Sequence, residues 1–414
     1  MMGPGLALEQ APPFSAPLRF FLTAPWFLAV AGLFAAWQPD WAGDHLTSAA
    51  LALTHLVTLG FLGMVMLGAM TQMLPVVAGA PVPAVKPVTT LSHLCLILGT
   101  SFLAWGLFAG EAWALEAAGL ILALGLATFL VVAAISLSRS RSLDTLRAMG
   151  VALAALAITL ALGLLLTGWL AGLWPLDAPL AWLARHVLAG LAGWVGILVM
   201  GTAWQVVPML QLTPPYPPRQ TRGLLIAASA SLAAALLLPS PWGILGEFGL
   251  SLSGIMFALI TLNLQWRRKR KIPDIGLAFW RLGMLCLILA ASLYPFAESE
   301  PLKIVTGLLF LLGFAASVVN GMLYKIVPFL AWFHLKAQKG IMSSGLPSMK
   351  NYLPDTPATG QFRIHAAALA CLLFAPFLPV FAIPGGLLLA ASAAWLGWNL
   401  LKAARIFRAH GGQF

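Results

Sequence analysis

Two of the seven histidines stand inside apolar runs: His55 in Thr54-His-Leu-Val-Thr-Leu-Gly60, and His186 in Arg185-His-Val-Leu-Ala-Gly190. Neutral imidazole is the commonest metal ligand and a usual axial ligand of haem iron. An ionisable side chain in a lipid-embedded helix is expensive and marks a functional position by default. Each ring could instead bond a backbone carbonyl or a threonine of a neighbouring span and act as packing glue. Met66, Met70 and Met73 follow His55 at i, i+4 and i+7 spacing. A thioether ligates copper(I) or haem iron, so Met66 is a candidate ligand, although such a stripe also fills cores. Arg185, beside His186, can neutralise a carboxylate such as a haem propionate, or snorkel to the interface.

The remaining histidines carry less. His45 adjoins Asp44 at the outer rim of its run. His93, His334, His365 and His410 are expected at span ends, solvated by head groups and water. Cys95, Cys286 and Cys371 lie in apolar runs with no metal-ligand spacing and read as small core residues. No nucleotide-binding loop, hydrolase triad or cysteine-based zinc site is present.

The elements that must position these residues repeat. Three runs close on one phrase: Gly68-Ala-Met-Thr-Gln72-Met-Leu-Pro75, Gly201-Thr-Ala-Trp-Gln205-Val-Val-Pro208 and Gly321-Met-Leu-Tyr-Lys325-Ile-Val-Pro328. In two of them a histidine stands thirteen to fifteen residues before the glycine; the third has Thr306 in that region. Gln72, Gln205 and Lys325 share one repeat position and form a polar cluster or snorkel. Gly60, Gly63, Gly190, Gly193 and Gly196 give narrow helix faces, for close packing or for a flat macrocycle.

Composition sets the solvent. The chain is 61% hydrophobic and 8% charged, which no soluble surface tolerates. About twelve apolar runs are long enough to cross a ~30 Å hydrocarbon core as helices. They lie near 18–37, 45–75, 89–110, 112–137, 149–174, 181–211, 222–238, 242–265, 276–295, 302–335, 364–380 and 384–405. The repeated phrase falls on spans two, six and ten. An all-α integral membrane protein of three pseudo-repeated four-helix units follows, with units about 18–137, 149–265 and 276–405 in one membrane domain, 18–405. Residues 1–17 and 406–414 are short tails.

The net charge of +11 is a topology signal. Lys86, Arg139, Arg141, Arg147, Arg219, Arg222, the run Arg267 to Lys271, Lys336, Lys339, Lys350, Lys402, Arg405 and Arg408 all follow even-numbered spans. The opposite loops carry Asp40, Asp44, Glu111, Glu116, Asp177, Glu247, Glu298 and Glu300. By the positive-inside rule this is a multi-pass protein of the inner, cytoplasmic membrane with both termini in the cytoplasm. The basic loops meet anionic lipid of the bilayer rather than nucleic acid. Asp44 is expected to cap span two, placing His55 about 16 Å further along, within the outer half of the membrane.

In its three units of four spans, with His55 on span two and His186 on span six, the chain resembles subunit I of the haem–copper oxidases. It resembles still more the divergent NnrS-type membrane proteins. The residue-level likeness rests on His55-x₁₂-Gly68-x₃-Gln72-x₂-Pro75 and Arg185-His186-x₁₄-Gly201-x₃-Gln205-x₂-Pro208. The resemblance implies haem or copper as cofactor, His55 as an axial haem ligand and His186 at a copper site. It also implies handling of nitric oxide or another diatomic gas, or electron transfer. The paired histidines of the oxidases' span seven, and the His-x-His of their span ten, have no counterparts here, so oxygen reduction at a binuclear centre is not expected. With no soluble redox domain in sight, an electron donor would be a separate protein. Two other readings stay open: a transporter or assembly factor for copper, haem or a small solute, and a structural subunit that lost its site.

Overall fold

The computed structural model describes residues 7–79, 81–139, 143–239, 241–269, 274–340 and 346–414. Arg141, Arg270 and Lys271, counted above as topology signals, lie outside the described residues.

Among the described residues there is no strand, and eleven helices are long and apolar enough to cross a membrane. They are α1 (Ser15–Trp37), α2 (Ser48–Val77), α3 (Val85–Ala109), α4 (Ala112–Ser138), α5 (Asp144–Leu170), α6 (Pro179–Gln211), α7 (Pro218–Leu237), α8 (Trp242–Trp266), α9 (Ile275–Phe296), α10 (Glu300–Lys339) and α12 (Pro379–Ala409). Between the last two runs α11 (Asp355–Phe374), whose first half is polar. With backbone amides bonded along the helix interiors, such an array meets the bilayer's main demand on a chain.

The local chemistry of the helix ends explains two boundaries. Pro179 opens α6 at a position where its missing N–H costs nothing. α2 is capped by Thr47, whose hydroxyl accepts from the Ala50 N–H at 3.2 Å, and not by Asp44. Asp44 instead accepts from the Leu46 N–H at 2.8 Å and closes a turn ahead of the helix. Thr47 has the extended backbone that a cap requires, φ −60° and ψ 151°.

The three helices that carry the repeated phrase share a feature that no residue pattern announced. Each contains eight residues of π-helix: Leu56–Gly63 in α2, Ala189–Gly196 in α6 and Leu309–Ala316 in α10. Each stretch ends five residues before the glycine of the phrase, so the sequence register is also the structural register. π-Turns are rare and concentrate at functional sites.

Packing is regular. α3 with α4, α7 with α8 and α11 with α12 form antiparallel hairpins, while α1, α5 and α9 lie against α2, α6 and α10 respectively. α4 packs on α5, α8 on α9, and α12 returns to α1. At this last crossing the backbones touch. A Cβ on Gly32 would fall 2.6 Å from the Gly386 carbonyl oxygen, and one on Gly386 2.6 Å from that of Gly32. Only glycine permits this approach, the usual device of helix pairs in lipid.

Candidate functional site

A cavity of about 610 Å³ lies among α2, α5, α6 and α10. Its walls are mainly leucine, and its polar groups are few: Thr54 and Thr58 of α2, Thr159 and Thr167 of α5, and Lys303 of α10 near the rim. His55 and His186 both line it.

The two rings come from helices distant in sequence, yet their centroids are 6.3 Å apart with 30° between planes. Each is fixed by its Nδ1. His55 donates to the Leu51 carbonyl of its own helix at 2.8 Å, and His186 to the Thr159 carbonyl of α5 at 3.1 Å. A carbonyl only accepts, so Nδ1 carries the proton in both rings and Nε2 of the neutral imidazole keeps its lone pair. This is the outer-shell arrangement that orients metal-binding histidines and raises their basicity. Gly163 makes room for it: a Cβ there would stand 3.1 Å from His186 Cε1. Both rings sit directly before or within one turn of a π-helical stretch.

The third helix offers no such ligand. At the register of His55 it has Leu308, and at that of His186 it has Thr306, whose hydroxyl is spent on the Leu302 carbonyl at 2.7 Å. Met66 and Met70 are buried in the core and are not among the cavity-lining residues. Arg185 also stands outside the cavity wall. Its guanidinium donates to the carbonyls of Leu236 (3.1 Å) and Ala181 (3.4 Å) and lies over the Trp182 ring, which ties the start of α6 to α7. The structure thus joins His55 with His186 and leaves Arg185 and Met66 apart from them.

At the rim of the cavity, His45 Nδ1 meets Glu300 Oε2 at 2.5 Å and Lys303 donates to Glu300 Oε1 at 2.8 Å. Asp44, His45 and Glu300 bring potential ligand atoms within 4.8 Å of one another, with Asp44 exposed and the other two half-buried. His45 and Lys303 line the cavity, so this cluster borders it.

His365 departs from the interfacial position expected of it. It lies midway along α11, is 1% exposed, and its Nε2 meets Ser317 Oγ of α10 at 2.9 Å. The apolar run suggested a span starting at residue 364, whereas the helix begins at Asp355. Gln361, one turn before His365, is buried and its amide nitrogen donates to Ser392 Oγ of α12 at 2.7 Å, while Gln361 Oε1 and His365 Nδ1 are buried with no hydrogen-bond partner among the described residues. The signal was present as a polar pair at i, i+4 spacing. His334 likewise is no simple interface residue, since it stacks on Phe14 with ring centroids 5.3 Å apart. Lys325 takes neither of the forms expected of it, a cluster with Gln72 and Gln205 or snorkelling: it is a paired cation whose Nζ donates to Asp274 Oδ2 at the start of α9 at 2.8 Å.

Compared with protein-family models and with curated proteins, the chain matches none.

Proposed function

We propose that this is an inner-membrane protein of the haem–copper oxidase subunit I type, nearest to its NnrS-type branch, holding a haem through His55 and His186. Three four-helix units, both termini cytoplasmic, belong to the same reading. The shared register of the π-helical stretches and the matched helix pairings support the repeat. Its work is the handling of nitric oxide or another diatomic gas, or electron transfer with a separate redox protein.

The observation that carries this reading is the pair of imidazoles, each with Nδ1 anchored to a carbonyl and Nε2 free, facing one apolar cavity. The residues fit the group. A volume of about 610 Å³ with few polar groups suits a flat apolar cofactor, within the roughly 300–1,000 Å³ usual for such sites. A lone copper ion would need far less space. Bound there, a haem supplies a one-electron iron couple. The chain's own part is to hold the iron through His55 and His186, to fix both rings through Leu51 and Thr159, and to exclude water with leucine walls. Purification in detergent, followed by a pyridine haemochrome spectrum and metal analysis, tests the reading. A monodisperse, folded preparation without haem or metal refutes it.

A second reading is favoured by one observation, the Asp44–His45–Glu300 cluster bordering the cavity. A transporter or assembly factor for copper or haem would use such a rim to receive its cargo. Replacing His55 and His186 by alanine would leave that function intact, whereas the first reading requires loss of the bound group.

A further inference from the structure

We infer that His55 and His186 ligate one and the same iron, one on each face of the macrocycle, rather than two separate centres; this rests on the reading above that the cavity holds haem. The resemblance by itself would divide them, His55 to a haem and His186 to copper. The geometry argues against that division.

Two nitrogens each bound at about 2.0–2.1 Å to one ion, in line across it, put the imidazole centres about 6 Å apart. Two rings serving two ions spaced about 3.5–4 Å, one ring on each, would stand about 10 Å apart in the same line. The observed separation is 6.3 Å. Moving apart to the larger distance would require each ring to leave its carbonyl, since both Nδ1 atoms are tied to backbone, at 2.8 and 3.1 Å. The two anchors are on different helices, Leu51 on α2 and Thr159 on α5. The rings are therefore held by two different helices.

Space for the macrocycle comes from absent side chains. Gly163 of α5, Gly190 of α6 and Gly307 of α10 all line the cavity, and a Cβ on Gly307 would meet nothing within 4 Å. A centre ligated in this way has both axial positions taken by the protein. A diatomic ligand would then need one of the chain's own imidazoles to let go, so electron transfer would be the chemistry these two residues favour.

The test uses the full-length protein in detergent, titrated with hemin and read by absorption and electron paramagnetic resonance. The expected wild-type product is six-coordinate and low-spin, and its ferrous form takes up carbon monoxide at least tenfold more slowly than either His55→Gly or His186→Gly. Those variants are expected to give high-spin haem, with free imidazole restoring the low-spin spectrum. Wild-type haem that is high-spin and binds carbon monoxide at once overturns the inference and leaves the haem reading standing. Stoichiometric copper in place of haem overturns it too, while keeping a metal at the site. A folded protein that takes neither sinks both claims. Should the glycine variants not fold, the wild-type spectrum decides alone. The same low-spin spectrum in a monodisperse His55→Ala/His186→Ala double variant would show adventitious hemin and refute the assignment.

Discussion

Gly163→Ala puts one methyl group against the ring of His186. The added Cβ would stand 3.1 Å from Cε1 and 3.6 Å from Nδ1, so the ring must give by a few tenths of an ångström. Its anchor among the described residues is the 3.1 Å bond to the Thr159 carbonyl, one turn earlier on the same helix as the new methyl. The shift therefore lengthens that bond first. Loss of an outer-shell bond of this kind weakens metal affinity about 10- to 100-fold, which corresponds to about 1.4–2.7 kcal/mol. Helix propensity works the other way, since glycine to alanine in a helix interior gains up to about 1 kcal/mol. The two effects separate in one experiment. Hemin titration should show weaker binding, while the melting temperature of the cofactor-free protein should hold or rise. Gly119→Ala is the control: it lines the same cavity, but its Cβ would meet Leu164 Cδ2 at 3.5 Å and Thr167 Cγ2 at 3.9 Å, both ordinary contacts. Equal affinity in wild type and Gly163→Ala, with both proteins folded, would refute the assignment of His186 as a ligand held by Thr159.

Three further outcomes concern the scaffold. Asp274→Asn should lower thermal stability by about 1–3 kcal/mol, because Lys325 loses its partner in a largely buried setting. Asp274→Ala should lose about 1 kcal/mol more, because the same carboxylate caps α9 by accepting from the Gly276 N–H at 2.9 Å. Equal melting temperatures for the two variants would deny the cap. Gly386→Leu should abolish a monodisperse preparation, since the clash is with backbone of α1 that no rotamer relieves, whereas Gly223→Ala, with open space around it, should purify normally. Ser317→Ala should cost about 1–3 kcal/mol by stranding the buried His365 Nε2, and adding His365→Leu should recover most of it. A double variant no more stable than Ser317→Ala alone would rule out that account.

The helices were legible because the bilayer constrains sequence so strongly: apolar length, basic loops and the thrice-repeated Gly-x₃-polar-x₂-Pro phrase all survive in one chain. The same phrase predicted three equivalent helices, and their π-helical stretches fall in its register. The stretches themselves were not legible, since Leu56–Gly63 or Leu309–Ala316 differs from ordinary apolar helix only in hydrogen bonding. The histidine pair was read as two candidates; its spacing depends on the Thr159 anchor, twenty-seven residues away in sequence. Lys325 found its partner in Asp274, fifty-one residues earlier, next to a basic run that drew attention to topology instead. His365 was misplaced because hydropathy marks where a helix meets lipid, not where it begins; in the polar half of α11, Ala358, Gln361 and His365 are turned to protein while Asp355 and Arg363 are exposed. Arg185 was chosen for adjacency to His186, and a neighbour in sequence on a helix points about 100° away; Met66 was chosen as the head of a methionine stripe, which here fills the core, away from the cavity.

The π-helical stretch after His55 acts as a phase adjuster. A π-turn accommodates one residue more than the α-helix it interrupts, so everything on its outer side is rotated by about 100° relative to the inner side. The inner side of α2 is keyed to the core by Gly68, where a Cβ would strike Phe20 and Phe21 at 2.9 Å. Excision of one residue between Leu56 and Gly63, leaving composition almost untouched, would let the turn relax to α-helix and swing His55 away from the cavity. The aim of that imidazole is thus set by residue count rather than by residue type, and an in-frame deletion of a single codon would disarm the site more thoroughly than most substitutions.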